Sequence, residues 1–456
     1  MLGRLDAGAP TFHAFTIPPA SDGGPMTAAK RGSSGHRPEG PGGVPQPAGL
    51  EARSVPRHPP RRRGRRFRGV AAVGVGLLLV PLGAGCGDSG GSDGSGPIKI
   101  GVPAPLSGDS ASAGQDILAA AKVAAAEINK AGGVKGRKID IVEADDQCSA
   151  QQGAQAAQKL LNSKVVAVAG GYCSGAAVPA IPIYGRRSVP FVMDASTNPS
   201  LTDTGKGKVF RTCGRDDNQG LVAAKFMTGP LGAKRVALLH DNTTYAKGLA
   251  DAAANSVKQA GGQVVYEDAL QPGQSDYSPV LTRVASTKPD VLYFTGYFAE
   301  AGLLMKQRKQ LGLKFTLMGG DATTDSTVLK TAGSAADGYI ATTAPLAKDL
   351  PAAAGFVSAY KAANNADPGP FSVYEYDAVK VIAKAVGDAG STDGEDLIAA
   401  LHKIKDFPGI TGPITFDQKG DRTDPLYITV QVQSGAFTAY KKLDKTGGTW
   451  VDAKTS

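Results

Sequence analysis

Histidine is the first scarcity in this 456-residue chain: five are present, and beyond residue 86 only His240 and His402 remain. Acid–base chemistry near neutral pH leans on histidine, so the supply of general bases is thin. His240-Asp241 ends a strand-like run and reads as a capping or edge pair rather than a base. The four cysteines and five histidines fall into no metal-ligand spacing. No G-x-x-x-x-G-K-[ST] loop and no strand-linked G-x-G-x-x-G is present. Ser174 sits in GYCSG, which is not the G-x-S-x-G nucleophile elbow. Together these absences weigh against hydrolase and dehydrogenase chemistry, and no cofactor or metal is expected.

Long apolar runs are also missing. The longest candidate, GVAAVGVGLLLVPLGAG over Gly69–Gly85, falls short of the roughly 20 residues a spanning helix needs. It is rich in glycine and holds Pro81. It follows the basic stretch RHPPRRRGRRFR at 57–68, so 57–85 reads as an export signal that is removed, against a retained anchor. Cys86 comes next, after Leu82-Gly83-Ala84-Gly85 and before the polar tether GDSGGSDGSG. This resembles a bacterial lipobox, with Leu82 one place further back than the usual pattern. It implies a lipidated Cys86 tethered through 86–97 to a membrane. The paired arginines leave general and twin-arginine export both open. Residues 1–56 are Gly- and Pro-rich without periodicity, and read as a disordered leader or an over-extended start, Met26 being another start.

Excess charge is absent from the remainder. Residues 1–86 hold 12 Lys and Arg against 4 Asp and Glu, a net of +8 within a chain total of +9. The part beyond Cys86 is therefore near neutral and offers no field for nucleic acid, despite a basic whole-chain balance.

What is present is alternation. Strand-like runs at 98–103, 138–144, 165–170 and 190–193 are followed by a second series at 235–240, 263–268, 291–295 and 315–318. Amphipathic helical runs lie between them, at 115–130, 150–162, 245–259 and 300–310. Alternating strand and helix predicts parallel sheets covered on both faces. Apolar runs such as VVAVAG suit strands buried on both sides. The series split near Phe210–Asp217, which predicts an α/β protein of two doubly wound parallel-sheet lobes. Helices follow at 351–363, 371–389 and 394–403, then short strands at 411–416 and 426–433. Ligands of such sheets bind beyond the carboxyl ends of the strands, here in a cleft between the lobes.

Cys148 and Cys173 each follow a predicted strand, so they meet at the strand ends of lobe one, where an oxidising compartment favours a disulfide. Cys213 is left as a small buried residue near the crossover. Ser174 follows a strand and precedes a helix; it either caps that helix or helps its N-terminus hold a carboxylate. The loop Asp194-Ala195-Ser196-Thr197-Asn198-Pro199 is a second candidate.

Eight segments in one order carry a family likeness: IKIGVPAPLSG (98–108), AAAEINKAGGVKGRKIDIVEADDQC, ASTNPSLT, VFRTCGRDDNQG, LLHDNTTYAKGLA, VLYFTGYFAEAG, LMGGD and GPITFDQKGDR (412–422). The mature chain resembles the leucine/isoleucine/valine-binding proteins, the type I periplasmic solute-binding family of ABC amino-acid importers. The resemblance implies lobe one at 98–215 plus 345–424 and lobe two at 216–344 plus 425–456. It implies a free amino acid as ligand, ABC permease and ATPase subunits as partners, and no catalysis. Ser174 matches the serine whose hydroxyl and N–H hold the carboxylate. Thr197 matches the threonine whose N–H serves the carboxylate and whose hydroxyl meets the ammonium. Ala195 matches a residue whose carbonyl accepts from the ammonium, and Ser196 lies between them. Tyr297 and Tyr245 belong to lobe two, Tyr297 as an aromatic wall. Asp321 falls where branched-chain binders place a Glu as ammonium counter-ion. Ala113 stands for an aromatic residue, and Tyr172 for a leucine, so the side-chain pocket is reshaped. Relatives of this kind also accept other small amino acids, including γ-aminobutyrate. A surface receptor that senses such a ligand is the alternative to an importer component.

Overall fold

The computed structural model describes residues 96–444 and 448–453. The leader at 1–56, the export signal at 57–85, Cys86 and the tether up to residue 95 lie outside the described residues. Among the described residues no helix is long and apolar enough to cross a membrane.

The first sheet holds β1 (Ile98–Ala104), β2 (Ile139–Asp145), β3 (Ala167–Gly170), β4 (Phe191–Met193) and β5 (Val209–Arg211) in the order β2-β1-β3-β4-β5, all parallel. Strands β3, β4 and β5 are buried along their whole length, as double-sided coverage requires. The covering helices are α1 (Ala111–Lys130), α2 (Ala150–Asn162) and α3 (Ser174–Gly185), with a short α4 (Ser200–Asp203).

The second sheet begins with β6 (Arg235–His240), β7 (Gln263–Ala269), β8 (Val291–Phe294), β9 (Thr316–Gly319) and β10 (Ile340–Thr343). Their order, β7-β6-β8-β9-β10, repeats that of the first sheet, again parallel. Helices α5 (Asp216–Thr228), α6 (Thr244–Gln259), α7 (Ser278–Ser286), α8 (Phe298–Gln310) and α9 (Thr327–Ala332) belong to this half. The chain then returns to the first half: α10 (Ala354–Asn364) and α11 (Ser372–Ala389) pack on α1, and α12 (Gly394–His402) packs on α11. A small hairpin of β11 (Phe407–Gly409) and β12 (Gly412–Ile414) follows. Finally β13 (Ile428–Gln433), β14 (Ala436–Leu443) and β15 (Trp450–Asp452) extend the second sheet beyond β10.

One expectation needs correction. The second sheet is mixed, because β13, β14 and β15 join antiparallel to β10 and to one another. Between the two sheets the chain leaves β5 at Arg211 and enters α5 at Asp216.

The disulfide Cys148–Cys173 is formed, with its Cα atoms 5.2 Å apart, and ties the start of α2 to the start of α3. Cys213 is buried and unpaired. The bridge spans 25 residues, so in the chain-entropy account it stabilises by about 3 kcal/mol. Unfolded without reductant, the protein should therefore label at Cys213 among these three cysteines. Cys148→Ala should lower the free energy of unfolding by about 2–4 kcal/mol. Labelling of all three would disprove the bridge in the exported protein.

Candidate functional site

Both sheets place loops at the carboxyl ends of their third and fourth strands in sheet order, and these loops face each other. The chain leaves β3 through Gly170 and Gly171, both at positive φ (117° and 95°). A Cβ on Gly171 would stand 2.7 Å from the Phe191 ring, so only glycine fits this turn. Tyr172 and Cys173 follow, and Ser174 is the first residue of α3. Cys173 occupies the cap position, and no side-chain cap bond is made. The Ser174 hydroxyl instead accepts a long 3.4 Å bond from the Asn198 N–H. Ser174 is 1% exposed, so a buried hydroxyl and a helix N-terminus point the same way.

The loop after β4 is held from behind. Arg211, on β5 and fully buried, donates to the carbonyls of Ser196 at 3.0 Å and Asn198 at 3.1 Å. It also donates to the Thr202 hydroxyl at 3.0 Å and pairs with Asp421 at 2.8 Å. The Ser196 hydroxyl donates to the Gly171 carbonyl at 2.6 Å, which joins the two loops. Ala195, Ser196 and Thr197 are thereby fixed, and the Thr197 hydroxyl is left without a hydrogen-bond partner.

From the second half, Tyr297 caps α8 after β8, Tyr245 opens α6 after β6, and Asp321 follows β9. The Tyr245 hydroxyl donates to the Asp321 carboxylate at 2.6 Å, and the Ala322 N–H adds a 3.0 Å bond. Burial pushes the Asp321 carboxyl up to about 6, and the bonds from Tyr245, Gln219 and Ala322 hold it from going higher.

The halves touch across the cleft. Tyr172 stands between Tyr297, at 5.8 Å between ring centroids, and Phe371, at 5.7 Å. Tyr297 also packs on Tyr245 at 5.3 Å. The Ser112 hydroxyl, beside buried Ala113 on α1, donates to Asp325 at 3.0 Å. The Asn198 amide donates to the Thr244 carbonyl at 2.8 Å. A Cβ on Gly248, inside α6, would lie 2.3 Å from that amide. A glycine mid-helix costs about 1 kcal/mol against alanine; here it lets the opposite loop approach.

All nine expected residues are at most 9% exposed. Ring contacts join Tyr172 of the first half to Tyr297 and Tyr245 of the second, and the Tyr245 hydroxyl carries the chain of contacts on to Asp321. The Ser196 hydroxyl and carbonyl are already bonded, and Ala113 lies in the first turn of α1. Sequence reasoning gave no role to Arg211 or to Asp216, the fully buried first residue of α5. A usable signal for Arg211 was a charge directly after the apolar pair Val209-Phe210; Asp216 stands among charged and polar neighbours that single out none of them. His240 Nδ1 accepts the Asn242 N–H at 3.0 Å, which holds the turn after β6. Among the described residues no group of three His, Cys, Asp or Glu converges as a metal site.

Residues 97–436 match the periplasmic binding protein family. Leu/Ile/Val-binding protein homolog 3 of Brucella melitensis is 37% identical over 331 residues, covering 72% of this chain and 90% of that one. A leucine-binding protein of Thermotoga maritima is similar in structure, with a TM-score of 0.71 and 31% identity, over 75% of this chain and 97% of that one. A branched-chain amino acid transporter substrate-binding protein of Streptococcus pneumoniae, in complex with isoleucine, has a TM-score of 0.68 at 28% identity, over 75% and 98%. The chain belongs to the periplasmic binding protein family, within the Leu/Ile/Val-binding proteins.

Proposed function

We propose that the chain is an extracytoplasmic lipoprotein, anchored through Cys86, that captures a small or branched-chain amino acid for an ABC permease and its ATPase. The observation that carries the ligand class is Asp321, a buried acid of the second half with no cation beside it, bonded to Tyr245, whose ring packs on Tyr297 and through it reaches Tyr172 of the first half. A zwitterion spans the two halves, carboxylate toward the helix N-terminus and ammonium toward the acid, and each buried charge then finds a partner. An aromatic acid without an amine would leave Asp321 opposed to nothing. In this reading Ser174 and Thr197 hold the carboxylate, while the Ala195 carbonyl, the Thr197 hydroxyl and Asp321 hold the ammonium. Tyr172, Tyr245 and Tyr297 wall the side chain, and Ala113 leaves room beside it.

Calorimetry against the twenty amino acids and γ-aminobutyrate tests the reading. Micromolar or tighter binding of one aliphatic amino acid supports it; binding of γ-aminobutyrate alone moves the ligand to the alternative. Ser174→Ala removes a charge-assisted bond, worth about 1.5–3 kcal/mol, so affinity should fall about tenfold or more. Lost stability with unchanged affinity would make Ser174 a structural residue. Globomycin-sensitive processing and detergent-phase partitioning test the lipid on Cys86. Co-isolation with a permease separates import from sensing.

A further inference from the structure

Asn198 follows Thr197 but is not itself one of the expected ligand residues, and every polar atom it has is engaged. Its backbone N–H donates to the Ser174 hydroxyl at 3.4 Å, and its carbonyl accepts from Arg211 at 3.1 Å. Its side-chain oxygen accepts from the Ser200 N–H at 3.0 Å and the Ser200 hydroxyl at 2.7 Å, which fixes the plane of the amide. The amide nitrogen is thereby aimed out of the first half, at the Thr244 carbonyl of the second, 2.8 Å away. Both partners of that bond belong to the protein, so it needs no ligand atom.

The receiving side depends on a missing side chain. Thr244 is the first residue of α6, and Gly248 lies one turn later. The Thr244 carbonyl serves the N–H four residues on, as in any α-helix, and its second lone pair stays open to a donor from outside. A Cβ at position 248 leans toward the helix N-terminus, over the turn that holds this carbonyl. It would stand 2.3 Å from the Asn198 amide nitrogen, while its next neighbours, Asn198 Cγ at 3.5 Å and Asp216 Oδ2 at 3.7 Å, are at ordinary contact distance. Gly248 has helical backbone without a positive φ, so its own conformation does not call for glycine. One atom of the opposite half excludes a side chain here. The helices behind the two groups, α3 and α6, also touch, and a Cβ on Gly175 would come within 3.8 Å of the Thr244 hydroxyl.

We propose that Asn198 and Gly248 form a latch between the halves, and that it sets ligand affinity through closure rather than by touching the ligand. The proposal rests on the amino-acid reading above and adds to it a contact that favours closure whatever ligand is held. A bond made only when the halves are together shifts the population toward that arrangement. A binding-competent state more fully populated raises the apparent affinity in proportion. Alanine at 248 undoes the latch by either of two routes: it holds the halves apart, or it swings the amide away from Thr244 and Ser200.

The test is calorimetry with L-leucine and γ-aminobutyrate, and stopped-flow release of the one that binds, on wild type, Asn198→Ala, Gly248→Ala and the double variant. Asn198→Ala should weaken binding by about twofold to tenfold, the net worth of one hydrogen bond, chiefly through faster release. Gly248→Ala should weaken it at least as much without lowering the melting temperature, because alanine is the better helix former. The double variant should bind no worse than Asn198→Ala alone, since the methyl group then meets no amide. Such rescue marks two residues that act through one contact; separate structural roles would not produce it. Wild-type affinity in Gly248→Ala, or losses that add in the double variant, would overturn the proposal and leave the amino-acid reading intact. If neither probe binds any of the four proteins, the amino-acid reading fails, and small-angle scattering without added amino acid judges the latch. Gly248→Ala should then be more expanded than wild type, and equal radii of gyration would overturn the latch as well.

Discussion

Asp321→Asn should weaken amino-acid binding by about a hundredfold or more while the ligand-free protein keeps its fold and its thermal stability. Removing one partner of a buried ion pair costs about 3 kcal/mol or more, which is about a hundredfold in affinity. The cost falls on the complex because Asp321 has no cation of its own in the protein: its partners are the Tyr245 hydroxyl, the Gln219 amide and the Ala322 N–H, all neutral. Burial has already pushed its carboxyl up to about 6, so at neutral pH the fold carries an unfavourable charge that asparagine would relieve. A melting temperature equal to or above wild type, with binding lost, is the expected pairing, and it is the mark of a group kept for function at the expense of stability. Compaction is the second readout. Ser174, Ala195 and Thr197 sit on the first sheet and Asp321 on the second, so the acid meets the ligand only when the halves are together. A ligand shifts an equilibrium by its differential affinity for the two states, and periplasmic binding proteins as a class close around their ligands by a hinge. Ligand-induced shrinkage in small-angle scattering should therefore diminish in Asp321→Asn. Full shrinkage with wild-type affinity would mean that the ammonium is held elsewhere.

The alternation of strand and helix carried most of the fold, because buried parallel strands are apolar throughout and their helices are amphipathic at a regular spacing. β5 escaped because three residues, one of them arginine, do not read as a buried strand. The antiparallel edge escaped for a different reason: strand direction depends on the connection, not on the strand. The turn Ser434-Gly435, with φ of 52° and 74°, joins β13 to β14 and is a two-residue hairpin signal between apolar runs, legible in the sequence itself. At the site, Ser174 and the loop holding Thr197 stood out by their places after strands, but a cap or turn reading fitted them equally, and their expected roles, like Asp321 itself, came only through the order of family segments. Asp216 and Arg211 lay in one of those segments. The meaning of Arg211 depends on a partner far along the chain, Asp421, and no spacing rule joins residues so distant.

Arg211→Met should be the most damaging single change to the fold, lowering the free energy of unfolding by about 3–5 kcal/mol. Methionine fills much of the same volume, so the loss is of charge and hydrogen bonds rather than of packing. Arg211 is fully buried and engaged on every side: Asp421 at 2.8 Å, the Thr202 hydroxyl at 3.0 Å, and the carbonyls of Ser196 and Asn198. Without it the Ser196 carbonyl is left buried and unpaired, at about 1–3 kcal/mol, while the Asn198 carbonyl keeps only the Leu201 N–H at 3.2 Å. Asp421 would keep Arg215 at 2.6 Å and the Thr202 hydroxyl at 2.9 Å, so it is not abandoned, which holds the cost below the sum of the parts. The carbonyls that lose this donor flank Thr197, so the loop proposed to bind the ligand should loosen with the fold, and affinity should fall in the protein that remains folded. Arg215→Met is the control. Arg215 also pairs with Asp421 but is 16% exposed and shares itself with Asp203 and Asp217, and it touches neither carbonyl. Its replacement should cost about 1 kcal/mol and spare binding. Urea unfolding and calorimetry on the two variants side by side decide the matter: equal losses from both would show that Asp421 needs only a nearby cation and that Arg211 does not hold the ligand loop.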